Sequence, residues 1–279
     1  MPRAEGRLRQ SDIEIRPLLE AKCRRVMLLR RRVLRSGGRD AIHDLRVATR
    51  RLQEALGFFS PVLPPRETER LSRRARKLRR RLGKARNADV LRELAERIAP
   101  HLPPEGRRAL QSVLPPASRR SARRSSIALP AFYPRAAAVL KHAGHAGTFP
   151  FPIQAARLLE ERLSDISRAA LRARDGSPEA LHRLRITVKR HRYLLEILSE
   201  AGCAGAERAL GEAKKLQECL GNLHDLDLLR ERAAGAPEAV QALLNRYRRE
   251  TLGKARELFH RHPPENWRAR LLDAVRRLP

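Results

Sequence analysis

Acidic residues are scarce in this chain. It carries 31 Asp and Glu against 61 Lys and Arg, a formal net charge of +30. An excess of that size points to a polyanion: nucleic acid, an anionic membrane surface or a phosphate polymer. Lysine is scarce too, with eight among the 61 basic residues. Part of the total therefore follows from an arginine bias that base composition can impose, but that bias does not explain how the charge is patterned. Aromatics make up 4%, too few for platforms that stack bases to dominate. The cysteines are Cys23, Cys203 and Cys219, an odd number without metal-ligand spacing, and they read as small reduced core residues. There is no apolar run of membrane-spanning length and no signal-peptide core, so the chain reads as soluble and cytoplasmic, with no membrane partner. No G-x-S-x-G elbow, glycine-rich phosphate loop or Cys–His nucleophile pair is present. Two-residue apolar alternation is also missing, which leaves no strands and an all-α fold.

What is present is helical spacing. Of 279 residues 42% are apolar, enough for a real core. Residues 1–10 read as a flexible basic tail. Ser11–Arg35 reads as a helix capped by Ser11 or Asp12, with Ile15, Leu18, Leu19, Val26, Leu29 and Val33 on its apolar face and Ser36-Gly37-Gly38 at its end. Asp40–Ser60 follows, closed by Pro61. A third helix runs from Arg66 to Lys84, and Arg73–Arg86 within this region holds nine basic residues in fourteen. Asn87 is placed to cap a short fourth helix, Ala88–Ile98, and a fifth begins near Pro104. The second half reads in the same order: Ile153–Arg174, Glu179–Ala201, Gly205–Leu220, Leu226–Ala234 and Glu238–His260. A domain over 11–262 is thus expected as repeat one, 11–114, a Pro-, Ser- and Arg-rich connector, 115–152, and repeat two, 153–262, with 263–279 as a C-terminal extension.

Two stretches organise the rest: AIHDLRVATRRLQEALGFF at 41–59 and ALHRLRITVKRHRYLLEIL at 180–198. With each helical residue advancing by about 100°, His182, Arg185 and Lys189 form one stripe, with Arg190 on its edge. Leu184, Thr187, Leu194, Leu195 and Leu198 form an apolar stripe roughly opposite. His43, Arg46, Arg50 and Arg51 match His182, Arg185, Lys189 and Arg190 at a constant offset of 139, since 182 − 43 = 139. LGKARNAD at 82–89 likewise matches LGNLHDLD at 220–227, and Lys77-Leu78 matches Lys215-Leu216. Ordered matches at nearly one offset argue for an internal duplication. Two helical bundles related by a pseudo-two-fold would bring the stripes face to face across a central basic groove. Arg offers a planar fork of donors that suits phosphate oxygens, and Lys a compact point charge. Paired acids and Asn at Asn87-x-Asp89 and Asp225-x-Asp227 invite a metal reading. Asn in one copy harms a metal site and leaves a helix cap intact, so capping is the better reading, with no metal and no cofactor expected. The basic run on the third helix keeps a nucleic-acid-binding reading open.

The two histidine helices, with LGKARNAD and LGNLHDLD after them, resemble the CHAD domain, the conserved histidine α-helical domain, whose Asp-x-Asp pattern is kept in the second copy while the first has Asn87 in place of Asp. The resemblance spans roughly Ser11–His260. It implies two helical bundles and binding of inorganic polyphosphate in a central basic channel, without turnover. It further implies His43, Arg46, Arg50, Arg51, His182, Arg185, Lys189 and Arg190 as contacts, with Lys77 and Lys215 as companions on the third helices. The chain is accordingly expected to be no enzyme, and to work in the cytoplasm, polyphosphate granules among its destinations. The alternatives are a nucleic-acid binder and a metal-dependent hydrolase of polyphosphate or phosphate esters.

Overall fold

Apolar side chains recurring every three or four residues produce helices, and in the computed structural model every regular element among the described residues is helical. The structure describes residues 15–116, 132–143 and 149–278, without the side chains of 84–86; the expected basic tail and the Ser11 or Asp12 cap lie outside the described residues. In chain order the helices are α1 Ile15–Ser36, α2 Arg39–Phe58, α3 Pro65–Ile98, α4 Pro104–Ser112, α5 Phe132–Ala143, α6 Phe151–Arg172, α7 Pro178–Glu200, α8 Ala206–Arg232, α9 Glu238–Arg261 and α10 Pro264–Arg276. On α1 the buried face is Ile15, Leu19, Cys23, Val26, Leu29 and Val33, the 3–4 rhythm of a core stripe. Gly37, with φ of 59°, ends it and donates its N–H to the Val33 carbonyl at 2.8 Å.

The helices fall into two groups. α1, α2 and α3 pack in succession, and α5 closes against α1 and α3. α6, α7, α8 and α9 pack in succession, with α10 against α6. One apolar core runs through both groups, from Ile15 to Val275. The groups are tied by an aromatic knot: Phe58 stands 4.9 Å from Phe59 and from Phe151, and Phe149 stands 5.2 Å from Phe59. Ion pairs tie them as well: Arg51 with Glu196 at 2.7 Å, Arg162 with Glu54 at 3.1 Å and Lys22 with Glu200. Residues 115–152 hold α5, whose Phe132, Ala136 and Val139 are buried, and residues 263–279 hold α10, whose Trp267, Leu271 and Val275 are fully buried. The segment read as an extension is therefore part of the core. All three cysteines are buried and unbridged.

A second expectation is overturned. The third and fourth helices are a single helix in each half: α3 has 34 residues and α8 has 27, about 50 and 40 Å at 1.5 Å per residue. Asn87 and Asp225 lie in helix interiors and cap nothing. Asp89 is buried beside Arg39, and Asp227 pairs with Arg248 and Arg230. Packing explains the continuity. A second, separate apolar cluster joins Leu91, Leu94 and Ile98 of α3 to Leu226 and Leu229 of α8, with Leu110 of α4 and Val240 and Leu244 of α9. An interior glycine costs about 1 kcal/mol, whereas each fully buried leucine contributes about 1.5–3 kcal/mol. Gly83 is kept for a different reason. A Cβ there would stand 3.2 Å from Nη1 of Arg46, and one at Gly221 would stand 3.8 Å from Nε of Arg185. Gly83 thus gives passage to the arginine of the neighbouring histidine helix, whereas Gly221 leaves its arginine at ordinary contact distance. Among the described residues no helix is long and apolar enough to cross a membrane.

Candidate anion-binding groove

Between the two groups α2, α3, α7 and α8 surround a cavity of about 540 Å³. α2 supplies His43, Arg46 and Arg50, spaced i, i+3 and i+7 so that one helix face carries all three. α7 supplies Arg185 and Lys189 together with Arg192 and Tyr193. α3 contributes Arg79 and Asn87, and α8 contributes Gln217, His224 and Asp225. Arg46 is oriented by donating through Nη1 to the Arg79 carbonyl at 2.8 Å. Arg79 in turn donates to Gln53. Arg50 reaches Glu54 at 2.9 Å. The Tyr193 ring lies between two guanidinium groups, Arg192 at 4.3 Å and Arg50 at 5.8 Å from its centroid. The Nε–H groups of Arg50, Arg185 and Arg192 are buried without a hydrogen-bond acceptor.

Crowding of like charge shows in the acid–base behaviour. Lys189 is pushed down to about 7 by burial and then by Arg185, Arg50, Arg79 and Arg46. Every charged neighbour that shifts it is a cation. Arg79 is pushed down to about 10 by burial, then by Arg50 and Arg46. At one end of the cavity His182 and His224 bring their Nδ1 atoms to 3.3 Å, ring centroids 4.5 Å apart. Burial and then Arg185 hold both below the usual histidine range, His224 at about 4. Both imidazoles are therefore held toward the neutral form.

The structure brings His43, Arg46, Arg50, Arg185 and Lys189 together in one cavity, and His182 stands at its edge against His224. It does not bring Arg51, Arg190, Lys77 or Lys215 there. Arg51 sits about 100° further round α2 than Arg50 and turns to Glu196, with Nε at 2.7 Å and Nη2 at 3.1 Å. Arg190 is exposed on the other side of α7, beside Asp165 and Arg168. Lys77 and Lys215 are exposed, and the residues two positions on, Arg79 and Gln217, line the cavity instead. Residues i and i+2 point about 200° apart on a helix, so the third helices show the groove the face opposite the expected one. Arg79, Arg192, Tyr193, Gln217 and His224 were not foreseen as lining residues. A signal existed for two of them: Gln217 follows Arg79 by 138 residues, the same offset as Leu82 and Leu220. Tyr193 stands beside the apolar stripe and gave none. Among the described residues no three His, Cys, Asp or Glu side chains converge as metal ligands.

Two helix groups meeting over an arginine- and histidine-lined groove define an all-helical protein with a concentration of positive charge between its halves. The family is shown directly: the CHAD domain model matches residues 19–234, and the chain belongs to that family. Two uncharacterized proteins from strains of Mycobacterium tuberculosis, MT2285 and Rv2226, are each 31% identical to it over 224 residues, 74% of this chain and 42% of the relative. The chain thus spans less than half the length of these relatives. The fold is similar to the crystal structure of the CHAD domain from the plant Ricinus communis, with a TM-score of 0.60 and 23% identity, covering 99% of this chain and 94% of that one. It is also similar to PptA from Streptomyces chartreusis, with a TM-score of 0.58 and 16% identity, covering 89% and 97%.

Proposed function

We propose that this protein binds inorganic polyphosphate in the groove between α2 and α7 and holds it without cleaving it. One observation carries the reading: Lys189 shares the cavity with Arg46, Arg50, Arg79 and Arg185, and after burial it is these cations that lower its pKa. So much clustered positive charge is stabilised when an anion arrives, because phosphate oxygens accept from guanidinium forks and ammonium groups at close range. A linear phosphate chain is thin, carries charge on every unit and needs no aromatic platform, which suits a cavity whose one aromatic ring is covered by two arginines. Membership of the CHAD family supports the reading, since some members bind polyphosphate. The proposal places the protein with its ligand in the cytoplasm, granules included.

The test is calorimetric titration with polyphosphate of defined length at two salt concentrations, together with phosphate-release assays in the presence of Mg²⁺ or Mn²⁺. Saturable binding that weakens with salt, no phosphate release, and displacement of DNA by polyphosphate at equal phosphate concentration are expected. Stronger binding to DNA than to polyphosphate would support the nucleic-acid reading, and multiple-turnover phosphate release would support the hydrolase reading.

A further inference from the structure

The groove is built from arginine with one exception. Of the 61 basic residues 53 are Arg, the total less eight Lys, yet the α7 position matching Arg50 is Lys189. Among the described residues it is the one lysine lining the cavity. We propose that Lys189 is a chemical modification site, whose amine takes an acyl group from small acyl phosphates drawn into the groove.

The geometry supplies what the reaction needs. A lysine is a nucleophile only when neutral, and a neighbouring cluster of cations in a desolvated site is a recognised way to keep it so. Lys189 faces Arg46 and Arg50 on α2, Arg79 on α3 and Arg185 on its own helix, and these, after burial, hold it near 7. The remaining titratable groups at the cavity are His43, His182, His224, Tyr193 and Asp225; the nearby carboxylates Glu54 and Glu196 are held by Arg50 and Arg162 and by Arg51 and Arg192. About half of Lys189 is then neutral at pH 7, against about one part in 2,500 for an ordinary lysine. The same guanidinium groups serve the electrophile, holding the phosphate of the acyl phosphate and stabilising it as it departs. In the step, the Nζ lone pair attacks the acyl carbonyl carbon. The carbon–oxygen bond to phosphate then breaks, inorganic phosphate leaves with the electron pair, and the nitrogen gives its proton to water. The product is an amide, so the groove loses one cation for good.

The labelling does not depend on polyphosphate being the resident ligand. The consequence for binding does rest on the function proposed above. The experiment uses the full chain and acetyl phosphate at pH 7, with peptide mass spectrometry quantifying acetylation at each lysine. Part of the gain from neutrality is offset by the lower basicity of the amine, so Lys189 is expected to react about tenfold faster than Lys77 or Lys215, both exposed. The Arg79→Gln variant, with one repelling cation fewer, should narrow that ratio at pH 7, and polyphosphate in excess should abolish labelling at Lys189 only. Labelling of Lys189 no faster than of Lys77 overturns the inference. Fast labelling without protection by polyphosphate upholds it and counts against the function proposed above.

Discussion

Replacing Lys189 by Met should make the free protein more stable and its anion binding worse, and the size of the first effect should depend on pH. Methionine keeps the length of the stem and removes the charge. The folded-state lysine sits near 7 against 10.5 in the unfolded chain. A fully desolvated group so displaced is worth about 5 kcal/mol, and halving for water in the open groove leaves about 2 kcal/mol. The sign follows from linkage. Between pH 7 and about 10.5 the unfolded chain binds the extra proton, so the wild type gains stability as pH rises through that window, and below pH 7 it bears the full penalty. Lys189→Met should therefore melt about 4–8 °C above the wild type at pH 6, with the difference closing by pH 10. Differential scanning calorimetry across that range measures it, and at pH 6 the variant should also bind polyphosphate about tenfold more weakly, having lost a charge-assisted contact. A variant less stable than wild type at pH 6, or a gap that ignores pH, would refute the reasoning, because Lys189 would then be a packed structural residue without like-charge strain.

Removing Arg46, Arg50, Arg185 and Lys189 together should cost far more affinity than removing the exposed Arg16, Arg25, Arg249 and Arg277, although each set lowers the formal charge from +30 to +26; the groove set should also show a shallower salt dependence in titration. Gly221→Ala should raise the melting temperature by an amount equivalent to about 0.5–1 kcal/mol and spare binding, because the new Cβ meets Arg185 at ordinary contact distance. Gly83→Ala should gain stability similarly but weaken binding, since the Arg46 guanidinium must move off the Arg79 carbonyl. Glu212→Gln should loosen α10, because that carboxylate accepts from Trp267 at 2.7 Å and from Arg270 at 2.7 Å. Trp267 is the single tryptophan, so a red shift of its emission reports the loss. Glu212 is held at about 2, Arg270 and Trp267 outweighing burial, so the wild-type contact should persist above about pH 4.5 and fail as pH falls toward 2.

Most helices were legible because their apolar residues had to line up to be buried. The end of α1 at Gly37 and the start of α7 after Asp175-Gly176 were legible because the chain must turn there. The join within α3 and α8 was not. Gly83 and Asn87 look like a stop and a restart, and what overrides them is packing between residues about 135 positions apart, Leu91 against Leu226, which no local pattern reveals. On the site, the i, i+3, i+7 stripe of α2 and α7 was readable because one helix face must hold it. Which face of α3 and α8 meets that stripe depends on how the helices rotate against one another. That rotation hid Arg79, Gln217 and His224 and leaves Lys77 and Lys215 outside the cavity. That Arg51 turns away from the cavity was not readable either, because its partner, Glu196, comes from the other half of the chain.

The small apolar cluster joining the far ends of α3 and α8 also bears on when the groove comes into being during synthesis. Leu91 and Leu226 must both have left the ribosome before it can close, and contacts this distant in sequence form late because loop closure must come first. A nascent chain that has made only α1 to α3 already carries Arg46, Arg50 and Arg79, but with no opposing wall to converge on they remain a loosely attractive surface. On the function proposed above, tight capture of polyphosphate thus becomes a property of completed molecules. Truncated or half-folded copies would release their hold on the polymer under ordinary salt, leaving it to finished ones.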